Sequence, residues 1–282
     1  MARGSRERRN DFRCVFVNRE MPDGHLLFDA ESDRGAGRRR RQAAPLGETL
    51  PILMYHHIAS PPPEGTPSRN LFVSPADFRR QMRTLKKLGY QGCSIAELMP
   101  RLLIGKPGKF VGITFDDGYE DVYANALPVL QETGFTATTY FVSREIGGCN
   151  RWDSDLGFPA ARCMNLCQMR QWKALGHEIG GHTLEHRRLG EIALNEAWRQ
   201  IADCRRELED LSGERVEAFS YPYGSFNAAT SMLVEKAGFT SAATTLKKRA
   251  APTDDPLSLP RFNVGTADTL FSFLWKCLLR RR

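Results

Sequence analysis

Short apolar runs of strand character alternate with helical segments along most of this 282-residue chain, and that alternation limits the fold more than any other feature. Ile52-Leu53-Met54-Tyr55 is a compact apolar run of the buried-strand type. After the loop Pro61-Pro62-Pro63-Glu64-Gly65, Ser74 suits an N-cap and Pro75 the first helical position. Phe78, Met82, Leu85 and Leu88 follow at helical spacing, and Gly89 ends the helix. A second, short helix is expected from Ser94 to Leu103. Phe110 to Phe115 reads as a buried strand, Ala124 to Glu132 as a helix closed by Gly134, and Ala137 to Val142 as a strand. A loop carrying Trp152 precedes a helix near Leu166 to Leu175, closed by Gly176. Glu178 to Gly180 is a brief strand, and Asn195 is expected to cap a long helix reaching about Leu211. Ala218 to Ser220 is a strand, Ala228 to Ala237 a helix and Phe239 to Ala243 a further strand. Six or seven such repeats imply parallel strands with crossover helices, either an α/β barrel or an open α/β sheet. Periodicity does not choose between them.

In α/β barrels, catalytic groups gather at the C-terminal ends of the strands. The polar residues fall there: His56 after Tyr55, Asp116 after Phe115, His182 after Gly181 and Tyr223 after Ser220. Adjacent residues of a strand face opposite sides, so Asp116 and Asp117 share one site only where the strand has ended. Gly118 tolerates the turn this needs. Two neighbouring carboxylates repel, so one must be neutralised, hydrogen-bonded or bound to a metal. His182 and His186 are four residues apart, a spacing that puts both on one face of a helical turn. With Asp117 they make two nitrogens and one carboxylate, which suits a catalytic zinc with open positions. His177 precedes its strand and is expected to support structure.

Thr114-Phe115-Asp116-Asp117-Gly118 and His182-Thr183-Leu184-Glu185-His186 resemble the first two signature motifs of the polysaccharide deacetylase (NodB homology, carbohydrate esterase 4) family. Phe219-Ser220-Tyr221-Pro222-Tyr223-Gly224 is similar to the third, and the resemblance runs from about Pro51 to Val264. It implies a distorted (β/α)7 barrel and metal-dependent N-deacetylation of a glycan. It also implies that Asp116 is the general base and that Asp117, His182 and His186 are the metal ligands, with Zn²⁺ the default ion. The oxyanion would face the metal and the backbone N–H of Tyr223, with Pro222 fixing the local backbone.

Two positions depart from the family pattern. The third motif usually opens on an Arg that orients the base, and Ser220 stands there; Arg261, in Leu259-Pro260-Arg261-Phe262, is a candidate replacement, with a surface salt bridge the plain alternative. Many members also carry a C-terminal Leu-x-His whose His is the general acid, and this chain has no His after His186. Leu53-Met54-Tyr55-His56 resembles the N-terminal motif of the exopolysaccharide deacetylases acting on poly-N-acetylglucosamine, where the acid comes from the first strand. His56 is the matching position, and His57 is expected to point elsewhere. Trp152 and Tyr223 are candidates for stacking on a sugar ring, with core packing the alternative.

Residues 1–48 differ from the rest, with 11 Arg, no Lys and 8 acidic residues, and are expected to be a disordered leader, or sequence upstream of the true start, before a domain at 49–282. Part of the net charge of +7 lies in Arg38 to Arg41 and Arg280 to Arg282; no aromatic-interleaved basic patch accompanies them, so nucleic acid is not expected as a partner. The seven cysteines are scattered and expected to be mostly buried thiols, with Cys163–Cys167 a disulfide only in an exported protein. No stretch reaches the roughly 18 apolar residues of a membrane span, and no apolar region follows the N-terminal Arg residues, so the default expectation is a cytoplasmic protein. The run Leu270 to Leu279 is too short to span and is expected to pack on the barrel. Two further readings stand beside a glycan deacetylase: a deacetylase or amidase of a small molecule or glycolipid using the same site, and an inactive glycan-binding module. Oligomeric state is not legible.

Overall fold

The computed structural model of the protein describes residues 49–105 and 108–279. The expectations for residues 1–48 and for Arg280 to Arg282 lie outside the described residues. In chain order the elements are β1 (Ile52–Tyr55), β2 (His57–Ile58), β3 (Phe72–Val73), α1 (Pro75–Lys87), β4 (Gln91–Cys93), α2 (Ile95–Ile104), β5 (Phe110–Phe115) and α3 (Leu127–Thr133). Then come β6 (Thr138–Phe141), α4 (Leu166–Ala174), β7 (Glu178–Gly181), α5 (Leu194–Ser212), β8 (Ala218–Ser220), α6 (Ala228–Lys236), β9 (Ser241–Ala243), β10 (Phe262–Asn263) and α7 (Leu270–Leu274).

The main sheet runs β10-β1-β5-β6-β7-β8-β9, with β4 beside β5, and every pairing in it is parallel. The sheet curls until its two edges approach. Leu259 N donates to Ala242 O and Thr244 N to Leu259 O, both at 2.8 Å, so the segment leading into β10 closes the seam against β9. This is the distorted seven-stranded α/β barrel, with β4 as an added strand. Because all strands run the same way, their C-terminal ends share one rim.

Local chemistry sets most of the boundaries. Ser74 Oγ accepts from Asp77 N at 3.1 Å to start α1, which turns Phe78, Met82 and Leu85 inward. Leu88, the last position of the helical apolar spacing, is the C-cap residue and is 41% exposed. Asn165 and Asn227 form capping boxes at α4 and α6. At α5 the cap is Ala193, and Asn195 lies inside the first turn, a correction to the expected start. The expected helix from Ala124 begins as a wide π-type turn, Val122–Ala126, and becomes α-helical only at Leu127. The core joins barrel and helices: Phe115 packs on Tyr55, Phe78 and Trp172, all fully buried. Each such side chain contributes roughly 1.5–3 kcal/mol by leaving water. Burial pushes the thiols of Cys93, Cys204 and Cys277 up to about 12, as expected of inert core cysteines. Among the described residues, no helix is long and apolar enough to cross a membrane.

Candidate active site

The chain leaves β1 at His56, β5 at Asp116, β7 at His182 and β8 just before Tyr223. The common rim brings these groups together. Asp117, Thr183, His186 and Tyr223 have φ of 72°, 65°, 58° and 57°; among the described residues the only other non-glycine residue with positive φ is Ser68. Left-handed backbone is costly for such side chains and persists where surrounding contacts over-determine it, which is typical of functional sites.

Asp117 follows Asp116 off the end of β5, and its left-handed turn swings it away from the strand face that Asp116 occupies. Gly118 continues the turn at φ 68°, where a Cβ would sit 2.7 Å from the Phe141 ring. His182 and His186 do not lie on a helix, contrary to the spacing argument. They span a turn in which Thr183 and His186 are both left-handed, and this reversal, not helical periodicity, brings their rings to 4.9 Å.

Asp117 Oδ1 lies 3.3 Å from His182 Nε2 and 3.2 Å from His186 Nε2. Among the described residues these three are the one group of His, Cys, Asp and Glu whose donor atoms all fall within 4.8 Å, as metal ligands must. The Asp117 oxygen has no well-aligned hydrogen bond although it is buried, so its lone pairs face the same space as the two nitrogens. His182 Nδ1 donates to the Ser220 carbonyl at 2.7 Å, which places its proton there and leaves Nε2 as a lone-pair donor. Burial pushes the Asp117 carboxyl up, but His186 and His182 more than offset this and hold it well below the usual carboxylate range. A divalent cation fits this donor set.

Asp116 meets a fully buried arginine. Arg261 Nη1 donates to Oδ1 at 2.6 Å and Nη2 to Oδ2 at 2.7 Å, a bidentate pair with both side chains inside the protein. Arg261 is therefore not a surface salt bridge. Its remaining donors reach Thr114 Oγ1 at 3.0 Å, Ser220 Oγ at 2.9 Å and Thr244 O at 3.0 Å. The side chain enters through the seam between β9 and β10, where Arg261 N donates to Leu246 O. Ser220, small and hydroxylated, leaves the space into which the guanidinium fits. Burial raises the Asp116 carboxyl, and the charge and hydrogen bonds of Arg261 outweigh it, so the group stays ionised.

His56 presents a buried Nδ1 without a hydrogen-bond partner. Burial lowers its pKa, while the charges of Asp117 and Asp116 act in the opposite direction, so it lies within electrostatic reach of both. His57 turns away, as expected. Its ring stacks between Phe72 at 4.1 Å and Tyr119 at 3.7 Å, and its Nδ1 pairs with Asp121 Oδ2 at 2.7 Å. That stack continues across the site: Tyr119 to Trp152 at 6.3 Å, Trp152 to His186 at 4.8 Å, His186 to Tyr223 at 4.5 Å. Trp152, on the 3-10 turn Arg151–Leu156, thus rests against a ligand-type histidine. Tyr223 donates its hydroxyl to the buried Asp153 at 2.8 Å, and Pro222 is buried beneath it. Sequence reasoning missed Tyr119, Asp121 and Asp153; their only signal was adjacency to the Asp-Asp-Gly turn and to Trp152.

The family described as Polysaccharide deacetylase matches residues 104–242, a span that holds Asp116, Asp117, His182, His186 and Tyr223 but neither His56 nor Arg261. The chain is 30% identical over 218 residues to YxkH of Bacillus subtilis (strain 168), named as a candidate polysaccharide deacetylase, covering 77% of this chain and 71% of that protein. It is 22% identical over 267 residues to the poly-β-1,6-N-acetyl-D-glucosamine N-deacetylase of Staphylococcus aureus (strain MSSA476), covering 90% and 89%. The fold superimposes on the Streptococcus pyogenes deacetylase PplD, solved in complex with acetate, with a TM-score of 0.71 at 27% identity, covering 82% of this chain and 99% of that one. With the motif residues assembled on one rim of the barrel, these similarities place the chain in the polysaccharide deacetylase family, as a hydrolase.

Proposed function

We propose that this protein is a metal-dependent N-deacetylase that removes acetyl groups from the amino sugars of a glycan. The observation that carries the reading is the convergence of Asp117, His182 and His186 beside an Asp116 that Arg261 fixes on both oxygens. The three would hold a divalent cation, with Zn²⁺ the default, and such an ion supplies Lewis acidity toward a water molecule and an amide carbonyl.

The residues of the chain do the rest. Asp116, kept ionised, accepts the proton that water sheds as its oxygen attacks the carbonyl carbon. Arg261 prevents the carboxylate from rotating, so the free lone pairs keep one direction. The left-handed Tyr223 sits where, by the family resemblance, its backbone N–H meets the developing oxyanion. When the C–N bond breaks, acetate leaves on one side and the sugar nitrogen takes a proton. His56 is the one histidine of the site left for that donation, because His182 and His186 face the cation position and His57 is held by Asp121. A lowered pKa makes its imidazolium a stronger acid and a scarcer one. Trp152 and Tyr223 supply aromatic surface for a pyranose.

The N-terminal position of His56 and the similarity to a poly-β-1,6-N-acetyl-D-glucosamine N-deacetylase support a β-linked N-acetylglucosamine polymer as substrate. The test is acetate release from N-acetylglucosamine oligomers, peptidoglycan fragments and a lipid-linked amino sugar. Release that rises with oligomer length supports a polymer substrate; release from the lipid-linked sugar alone overturns it in favour of a glycolipid deacetylase.

A further inference from the structure

We propose that Arg188 is a specificity-determining residue that favours glycans bearing an anionic group, a carboxylate or a phosphate, beside the N-acetyl group removed. The inference rests on the deacetylase reading above but not on its neutral polymer: it requires a β-linked N-acetylglucosamine chain that also carries anionic groups.

Arg188 follows His186 by two residues, and its guanidinium carbon lies 3.7 Å from the centre of the Tyr223 ring. The same ring lies 4.5 Å from that of His186, so the cation rests on a residue that lines the site. Stacking uses only the flat face of a guanidinium. Its N–H groups radiate in the plane and stay available as a fork that matches a carboxylate or phosphate.

The charge of Arg188 is unspent. Arg144, Arg151, Arg199 and Arg205 each have a carboxylate partner, whereas among the described residues none lies within ion-pair distance of Arg188. The buried Asp153 accepts the Tyr223 hydroxyl at 2.8 Å and makes no ion pair with Arg188. Deeper in the site, Asp116 is neutralised by Arg261, and Asp117 faces two histidines and the cation position. The mouth therefore carries a solvent-exposed positive charge over an aromatic ring, with no carboxylate paired to it. Such a rim attracts an anionic neighbour on the sugar chain and repels amines already freed by deacetylation.

The experiment compares three N-acetylglucosamine oligomers of equal length: a neutral one, one whose neighbouring sugar carries a lactyl carboxylate, and one with a terminal phosphate. The parent protein is expected to show a higher kcat/KM on at least one anionic oligomer, with the preference shrinking as salt rises. Whichever arm is preferred identifies the source of the anion. Arg188→Gln should lower the ratio of anionic to neutral kcat/KM on the order of tenfold, through KM, and Arg188→Lys should keep part of it. An unchanged ratio overturns the inference, as does an equal fall in kcat on all three oligomers, which would make Arg188 a support for Tyr223. No acetate from any of the three would instead overturn the deacetylase reading, and this inference with it.

Discussion

Removing the Arg261 guanidinium is the perturbation with the most predictable outcome. All five of its N–H groups are used: two on Asp116, and one each on Thr114, Ser220 and Thr244. Arg261→Ala would leave the Asp116 carboxylate buried without its counter-charge. Breaking a buried pair by deleting one partner typically costs ~3–5 kcal/mol. For a domain of this size that lowers Tm on the order of 10 °C. Arg261→Lys keeps the charge but not the fork, so it should fold better and still lose kcat by roughly 10²-fold, because the base no longer has one orientation. The discriminating variant is the double change Ser220→Arg with Arg261→Ala, which moves the guanidinium to the position where the family usually carries it. If positioning Asp116 is the role, the double variant should recover at least roughly tenfold in kcat over Arg261→Ala, a coupling that independent sites would not show. The assay is acetate release together with thermal unfolding and metal content. An Arg261→Lys protein with parental kcat, or a double variant no better than the single one at equal stability, would refute the reasoning.

His56→Ala should keep its metal and its Tm while kcat falls by roughly 10²- to 10⁴-fold; an active His56→Ala protein means that the proton comes from elsewhere. His57→Ala should show the reverse, a loss of roughly 2–4 kcal/mol in unfolding free energy with kcat per folded molecule little changed, because its ring fills a buried stack and holds Asp121. Burial lowers the His177 pKa to about 4, so its neutral form stabilises the fold above pH 6.5 and that contribution, about 3 kcal/mol, is lost as pH falls through 4. Urea unfolding of His177→Phe should therefore show a shallower loss of stability between pH 6.5 and 4 than the parent, and equal slopes would count against the assignment. A chain starting at Thr49 should match the parent in Tm and kcat, whereas one starting at Ile52 should melt lower, because Leu50 is buried and exchanges two 2.8 Å backbone hydrogen bonds with Ala250.

The elements legible in the sequence were those with local causes. Ile52–Tyr55, Phe110–Phe115 and Ala218–Ser220 match their expected bounds because short apolar runs between turn residues have few other uses. Ser74 and Gly89 bound α1 through chemistry that acts within one turn of the chain. What escaped depends on distant partners. Gln91–Cys93 is a strand because it pairs with Phe110 to Gly112, and Phe72–Val73 because it pairs with His57 and Ile58. The site divides the same way. Asp117, His182 and His186 stand out as a metal-type set in the sequence, yet the helical turn that the histidine spacing suggests is absent. Two left-handed residues do that work, and no spacing rule exposes them. Arg261 was visible only as a candidate, since its partner Asp116 lies 145 residues away in the chain and meets it only once the sheet has curled.

In the proposed mechanism Asp117, His182 and His186 hold a divalent cation that hydrolysis requires. Its most direct measurement is metal content and acetate release followed together, on the parent and on His182→Ala, after chelation and then during titration with Zn²⁺ or Co²⁺. The metal-free parent should show no turnover and recover fully at about one ion per chain, whereas His182→Ala, with two ligands left, should show neither tight binding nor recovery. Full acetate release by a verified metal-free parent protein would contradict the mechanism.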